Sequence, residues 1–528
     1  MAFGLLALLI APARPAAAHA VLTTTSPMAG TVLPSLPKEI RLEFNEAVRM
    51  VPGRTQVVGP DGKRRNDGDP AAVDGGLLVK LRDADPPVGT YVVSYRVISG
   101  DSHPVAGSFM FSVGAPSQPA AGTEPVGTDP IVVVAVPVAK YAGYAGLVLL
   151  IGPAVMLALW YPRRLNREPL LRLARAGIVA IGAGTVASIW LQAPLASGSA
   201  LLNVSPGELG QVLTSPFGIT LLARLAALAI IATQIRQITR GARQVALTTA
   251  VVAMLVTWPL TGHPIASPYT AVVVVADVVH IAAMGLWIGG LICLWAVLLR
   301  RADQRELAVI LPSWSKWAMA SVYWLVAAGV LQALIQIGGW AAITGTAYGQ
   351  TLLLKVGLVA LILLAAAWSR RLVQNGTTAR LRTTVGLEAG AAALVLAVSA
   401  VLVQLSPGRT ADLEAKAAVR AQGFAATLNS PLYAVQFEVY PAVVSEYNSF
   451  HAFVFTPEGR PLPVEQWTVT AALPERGVEP MDNPVFTVTG NQGLGNITFP
   501  LPGTWKLTIT LRVSEFDQAT VTADVPVR

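Results

Sequence analysis

Hydrophobic and polar positions follow three successive patterns along this chain. Between residues 19 and 114 they alternate: Ile40-Arg41-Leu42-Glu43-Phe44, the stretch Tyr91–Val97 and the stretch Ser108–Val113 each place apolar side chains at every second position. Period two is the mark of a half-buried strand. Pro60-Asp61-Gly62 and Asp74-Gly75-Gly76 supply turns between such strands. A run of short strands of about a hundred residues has the size of a β-sandwich. Residues 115–130, rich in Pro, Gly, Ala and Thr, read as a linker.

From 131 to 405 the apolar runs become long enough to cross a bilayer, which takes about twenty helical residues. Eight are expected, over 133–160, 173–194, 217–236, 244–262, 271–299, 316–339, 352–372 and 384–405. Alternation returns over 412–528, in Ala452-Phe453-Val454-Phe455, Trp467-Thr468-Val469-Thr470 and Thr504–Thr510. A second, smaller β-sandwich is expected there. His451 reads as the start of one of its strands, on the surface and without an obvious partner.

Charge orients these pieces. Arg163, Arg164, Arg167, Arg172 and Arg175 follow the first span, and Arg236, Arg240 and Arg243 the third. Arg300, Arg301, Arg305 and Lys316 follow the fifth, and Arg370, Arg371, Arg380 and Arg382 the seventh. The loops at 195–216, 263–270 and 340–351 carry no Lys or Arg. By the positive-inside rule the basic loops are cytoplasmic, so both alternating regions lie outside the cytoplasmic membrane. The net charge of +8 therefore serves topology and not nucleic acid. With 53% hydrophobic and only 13% charged residues the chain is not a single soluble globule. Its one cysteine, Cys293, provides neither a disulfide framework nor a cysteine-based zinc site.

The first eighteen residues resemble a secretory leader. A short apolar run over 2–11 leads through Pro12 and Pro15 to Ala16-Ala17-Ala18, although no Lys or Arg precedes the run. Cleavage there leaves His19 with a free α-amino group beside its imidazole. With Asp101 and His103 this gives an amine, two imidazoles and a carboxylate, a ligand set that suits Cu(II). A second group lies in the fifth span, where Asp277, His280, Met284 and Trp287 share one helix face, with His263 at the outer mouth of the fourth. Imidazole with thioether suits copper, and thioether favours Cu(I). Packing is the competing reading for Met284 and Trp287, as is a hydrogen bond across helices for His280 and a close-approach surface for Gly285-x-x-x-Gly289. Arg224, Asp277 and Lys355 lie at similar depth, where an ion pair would offset the cost of burying them. His280 is the single histidine inside a span, which argues against a bis-histidine haem.

The residues in these positions resemble a known family. His19, Leu42-Glu43-Phe44-Asn45-Glu46 and Gly100-Asp101-Ser102-His103-Pro104, closing on Gly107-Ser108-Phe109-Met110-Phe111, look like the copper-binding protein CopC. Ser215-Pro216-Phe217-Gly218 leading to Arg224, the segment from His280 to Gly290, and Tyr348–Lys355 resemble CopD. Together residues 19–405 resemble the fused CopC/CopD copper resistance proteins, with the tail similar to extracytoplasmic β-domains appended to some fusions. The resemblance implies a Cu(II) site of His19, Asp101 and His103, with Glu46 as an additional ligand. It also implies that the separate Cu(I) site of methionine-rich members is missing, since Met28, Met50 and Met110 are scattered.

The expected protein thus has a signal peptide over 1–18, a CopC-like sandwich over 19–114, an eight-helix CopD-like bundle over 131–405 and a β-domain over 412–528. Its expected partners are copper ions, the lipid bilayer and an extracytoplasmic copper protein. Its expected function is copper binding outside and copper import, in copper homeostasis or resistance. The alternative is extracytoplasmic sequestration or delivery, with the bundle as anchor. A histidine-chelate copper oxygenase is disfavoured, because the extra carboxylate and imidazole fill positions that oxygen chemistry needs open, and no enzymatic activity is expected.

Overall fold

The computed structural model describes residues 20–528, apart from 28, 30, 34, 83–86, 115–116, 118–119, 121–126, 163, 236–241, 268, 375–380, 412–422, 458–459 and 528. The expected leader over 1–18 and His19 lie outside the described residues. The chain divides into two compact units. One contains the helices together with the short segment Ile98–Pro104; the other contains the remaining strands.

The N-terminal strands are β1 (Leu22–Ser26), β2 (Val32–Leu33), β3 (Glu39–Phe44), β4 (Arg49–Met50), β5 (Gln56–Val58), β6 (Ala71–Val73), β7 (Gly76–Lys80), β8 (Gly89–Ile98) and β9 (Pro104–Val113). They form two sheets, β1-β3-β7-β6 and β2-β9-β8-β4, with β5 added on β8. The alternation in β3 sets its faces: Ile40, Leu42 and Phe44 are buried while Glu39 and Arg41 are exposed. Ile40 sits opposite Val79 and Leu42 opposite Leu77, so one-residue slippage would expose the whole apolar set. The turn from β6 to β7 places Gly75 at φ +79°, a left-handed conformation that glycine adopts without steric cost.

The helices are α1 (Pro130–Leu159), α2 (Glu168–Ser197), α3 (Pro206–Thr214), α4 (Pro216–Gln234), α5 (Ala242–Val256), α6 (Thr270–Cys293), α7 (Gln304–Ile337), α8 (Trp340–Gly345), α9 (Ala347–Gln374) and α10 (Leu381–Leu402). Helical backbone continues beyond α6 through a π turn, Leu294–Leu298, to Arg301. Among the described residues seven helices, α1, α2, α4, α6, α7, α9 and α10, are long and apolar enough to cross a membrane. The expected fourth span is shorter. There α5 stops at Val256, and only a 3-10 turn, Pro259–Thr261, follows. Trp258 keeps helical angles, but Pro259 after it has no N–H to donate to the α-helical ladder, and the backbone tightens into the 3-10 turn. Two loops expected without structure hold α3 and α8; α3 starts with a capping box between Ser205 and Glu208.

Close helix approach depends on small residues. At the α1–α6 crossing Gly152 and Gly289 meet backbone to backbone, and a Cβ on either would overlap the other helix. Gly285, one turn earlier on α6, faces Ile151 of α1. The interior so formed contains Leu147, Leu150, Ile181, Met254, Met284 and Trp287. By contrast α7 and α9 expose Trp317, Trp324, Leu334, Leu361, Leu364 and Trp368, an apolar surface suited to lipid.

The C-terminal strands are β10 (Phe424–Asn429), β11 (Ala434–Tyr440), β12 (Ser445–Phe455), β13 (Gln466–Leu473), β14 (Val478–Asn483), β15 (Val485–Thr489), β16 (Gln492–Phe499), β17 (Gly503–Arg512) and β18 (Gln518–Val527). They form the sheets β10-β11-β12-β16-β15 and β14-β13-β17-β18, whose inner faces share a core of Phe437, Phe450, Trp467, Trp505, Leu507 and Val525. His451 departs from the sequence reading: it lies in the middle of β12, is buried, and pairs in register with Glu438 of β11. The polar stretch Ser445–Ser449 extends the strand by pairing with β11 and β16, which moves His451 from the start of the strand to its centre.

Candidate metal centre

The centre begins with five residues, Ser99-Gly100-Asp101-Ser102-His103, joining β8 to its sheet neighbour β9. Ser99 N–H donates to the His103 carbonyl at 2.9 Å and Ser102 N–H to the Ser99 carbonyl at 3.0 Å. His103 N–H donates to Asp101 Oδ1 at 3.2 Å, and the Ser99 hydroxyl donates to the same oxygen. An aspartate that accepts from the backbone two residues on shapes a tight turn by itself. Ser102 completes the turn at φ +72°, a conformation that costs a non-glycine residue about 1–3 kcal/mol and persists where the surroundings enforce it. Gln192 of α2 does so by donating Nε2–H to the Ser102 carbonyl at 2.8 Å.

The turn holds the Asp101 carboxylate and the His103 ring together, with Oδ1 3.2 Å from His103 Nδ1. The other carboxylate oxygen, Oδ2, lies 2.9 Å from Nδ1 of His263, which follows the 3-10 turn Pro259–Thr261. The two imidazoles stack with centroids 5.0 Å apart and planes 20° from parallel. All three residues are buried, and one potential ligand atom from each lies within 4.8 Å of the others. A buried carboxylate needs compensation by hydrogen bonds or positive charge. His263 meets the carboxylate at hydrogen-bond distance and His103 stands beside it, and a metal ion can take the place of a ring proton between them. Two nitrogens and a carboxylate oxygen form a borderline donor set of the kind copper binds.

His19 and Glu46 were expected in the same site. The first lies outside the described residues; the second is half-buried just after β3, in the other compact unit. The stripe on α6 is present, but its members engage different neighbours. Asp277 accepts from Gln332 Nε2 of α7 at 3.4 Å and has Lys355 and Lys140 within electrostatic reach. His280 Nδ1–H donates to the Leu325 carbonyl, also of α7, at 3.0 Å. Met284 and Trp287 pack in the helical core. Arg224 is engaged away from Asp277: its guanidinium donates to Thr257 Oγ1 at 2.8 Å and to the Thr257 carbonyl at 3.0 Å, and lies 3.7 Å over Trp258. A cation over an indole ring gains partial compensation that does not require a carboxylate.

His263 has a neighbour that the sequence reading did not give it. Expected at the entrance of a separate membrane path, it instead touches Asp101. The available clue was its position in a loop without Lys or Arg, on the side assigned to Asp101 and His103.

A cavity adjoins Asp101 and His103, lined also by Lys140 of α1, Ser188 and Gln192 of α2, and Gln404. A second cavity shares Lys140 and Ser188 with it and extends to Arg224. Lys140 lies in the first half of α1, a helix about 45 Å long at 1.5 Å per residue. Beyond the far end of α1, Arg164 donates to Glu306 at 2.6 Å and to Asp303 at 3.0 Å, tying two of the basic loops together. The candidate centre and these loops therefore occupy opposite ends of the helical unit.

Comparison with known proteins follows the same division of the chain. Residues 22–114 match the CopC domain, 129–268 the copper resistance protein D-like N-terminal domain, and 308–402 copper resistance protein D. The chain is 25% identical over 410 residues to the copper transport protein CutJ of Bacillus subtilis, covering 74% of each. Protein YobA of Escherichia coli is 34% identical over 103 residues, 18% of this chain and 79% of that one. Among solved structures, CopC from Methylosinus trichosporium OB3b is 29% identical and covers 19% of this chain and 99% of its own, with a TM-score of 0.17.

Proposed function

Because the chain belongs to the copper resistance family, with CopC and CopD domains in a single multi-pass membrane protein, we propose that it binds copper on the outer face and imports it. The contact between His263 and Asp101 carries this reading: a ligand from the helical region shares a carboxylate with the ligands from the strand connection. Copper held by Asp101, His103 and His263 is already in contact with a residue of the membrane-spanning part. Cu(II) is the form assigned to this site, and the His19 amine and imidazole are assigned to complete it.

The sidedness follows from charge. Basic loops face the cytoplasm, so the opposite end of the helical unit, with the metal centre, faces outward, as do both β-rich regions, each read as a two-layer sandwich. Deeper in the bundle, Asp277, His280 and Met284 are assigned to receive copper, with Cu(I) as the form that Met284 suits. His280 donates Nδ1–H to a carbonyl, which leaves the Nε2 lone pair available, the arrangement common in metal-bound histidines. Copper is cargo in this reading, and no catalytic turnover is assigned.

Cellular copper content tests it. His263→Ala and His103→Ala should each lower copper accumulation by cells at limiting external copper. Normal accumulation in both variants would overturn import and leave the helical region as an anchor for copper held or passed on outside.

A further inference from the structure

The cavity beside the metal centre is lined on one side by Asp101 and His103 and on another by a cation that a bare metal ion would not call for. Its wall contains Lys140, and the adjoining cavity adds Arg224. Arg224 is satisfied by Thr257 and Trp258. Lys140, by contrast, makes no hydrogen bond or ion pair among the described residues, although Asp101 and Asp277 lie within its electrostatic reach. Asp101 is held between two imidazoles, and Asp277 accepts from Gln332. A half-buried ammonium without a partner in an apolar helix is costly, and such groups in membrane proteins mark sites of function.

A second observation points the same way. Gln404 lines the cavity, and its buried Nε2 amide has no hydrogen-bond partner among the described residues. Two other polar side chains of the wall are committed: Gln192 donates to the Ser102 carbonyl, and the Ser188 hydroxyl donates to the Gly184 carbonyl. The Lys140 ammonium and the Gln404 amide N–H are thus two donors of the wall without an acceptor among the described residues.

We propose that this cavity is a small-anion site of halide size, formed by Lys140 and Gln404, and that copper and the anion occupy neighbouring positions together. The inference rests on the reading that Asp101, His103 and His263 hold copper. The anion offsets the repulsion between the incoming metal and Lys140, so the pair enters the bundle with less charge than the metal alone. Thermodynamic linkage then requires each ligand to tighten the other by the same factor.

The test compares copper affinity of the full-length protein in chloride and in gluconate at equal ionic strength. Wild type should bind copper about fivefold or more tightly in chloride, a typical coupling between linked sites. Lys140→Met should lose that gain while binding copper in gluconate at least as tightly as wild type, because a repelling charge has been removed. Lys140→Arg should keep the gain and Gln404→Leu should lose part of it. Equal affinities in the two media for wild type, or an undiminished gain in Lys140→Met, would overturn the anion site. Failure of wild type to bind copper at this centre in either medium would instead overturn the copper reading itself.

Discussion

Two sets of polar residues in the helical unit share the same chemistry and differ in geometry. Asp101, His103 and His263 come from two chain segments that approach one another, and their donor atoms converge within 4.8 Å. Asp277, His280 and Met284 come from one helix, and each is engaged separately, by Gln332, by the Leu325 carbonyl and by the helical core. Side chains on one face of a helix project side by side, about 1.5 Å of rise per residue apart. A tight turn facing a second segment can instead aim its side chains at a common point. The converging set can hold one ion between its members, whereas the α6 residues can only meet an ion one after another.

The strongest way to break this contrast is to remove a converging ligand. His103→Ala or Asp101→Ala should weaken copper binding about a hundredfold or more, roughly 2.7 kcal/mol, as measured by competition with a chelator of known affinity. A loss below threefold would place the copper elsewhere. His263→Ala should cost about tenfold, close to 1.4 kcal/mol. If its affinity stays at the wild-type value, the helical region supplies no ligand to this centre.

The helix set predicts the opposite profile. His280→Ala should change outer-site copper affinity by less than about twofold, because its ring contacts α7, while thermal stability in detergent drops by about 1 kcal/mol for the lost hydrogen bond. An equal fall in copper affinity for His280→Ala and His263→Ala would erase the distinction between the two sets.

The C-terminal strands offer a third arrangement that sharpens the comparison. Glu438 and His451 face each other across β11 and β12 with Oε1 and Nδ1 3.9 Å apart, and no third ligand joins them among the described residues. Burial pushes the Glu438 carboxyl up to about 7 from its ordinary 4.5 and pushes the His451 imidazole down. A carboxyl raised in the folded state binds its proton more tightly there than when unfolded. Its stabilising contribution is therefore complete below about pH 4.5 and lost as pH rises through about 7. His451 opposes this with a smaller loss on the acid side of its ordinary value, 6.5.

Glu438→Gln keeps the neutral shape. It should slow hydrogen exchange of β11 and β12 at pH 8 and leave it nearly unchanged at pH 4, after correction for intrinsic rates. Copper stoichiometry should stay the same, since a pair without a converging third donor is not a site. Exchange at pH 8 that matches wild type would mean that Glu438 ionises without cost.

Much of the fold was legible from short-range pattern. The strands around Ile40–Phe44, Tyr91–Val97 and Ser108–Val113, the apolar helices and the basic loops could all be read from local spacing. The errors have local causes as well. Pro259 ends the fourth apolar segment early, and the polar stretch before His451 extends β12 because neighbouring strands pair with it. In the site, Asp101 and His103 were identifiable from their two-residue spacing, but the contact with His263 was not. Likewise, Lys140 is one polar residue in the first half of an apolar helix, and only packing brings α2 and Gln404 to the same cavity.

The sequence by itself determined what kind of element each segment forms, because backbone geometry imposes periods of two and 3.6 on whatever must be buried. It also determined which ends of the helices carry the positive charge. Only the tertiary structure decided which histidine shares the Asp101 carboxylate, and the two residues lie 162 positions apart. Periodicity is a property of neighbours along the chain, whereas a metal centre depends on the direction in which distant segments are turned once the helices have packed.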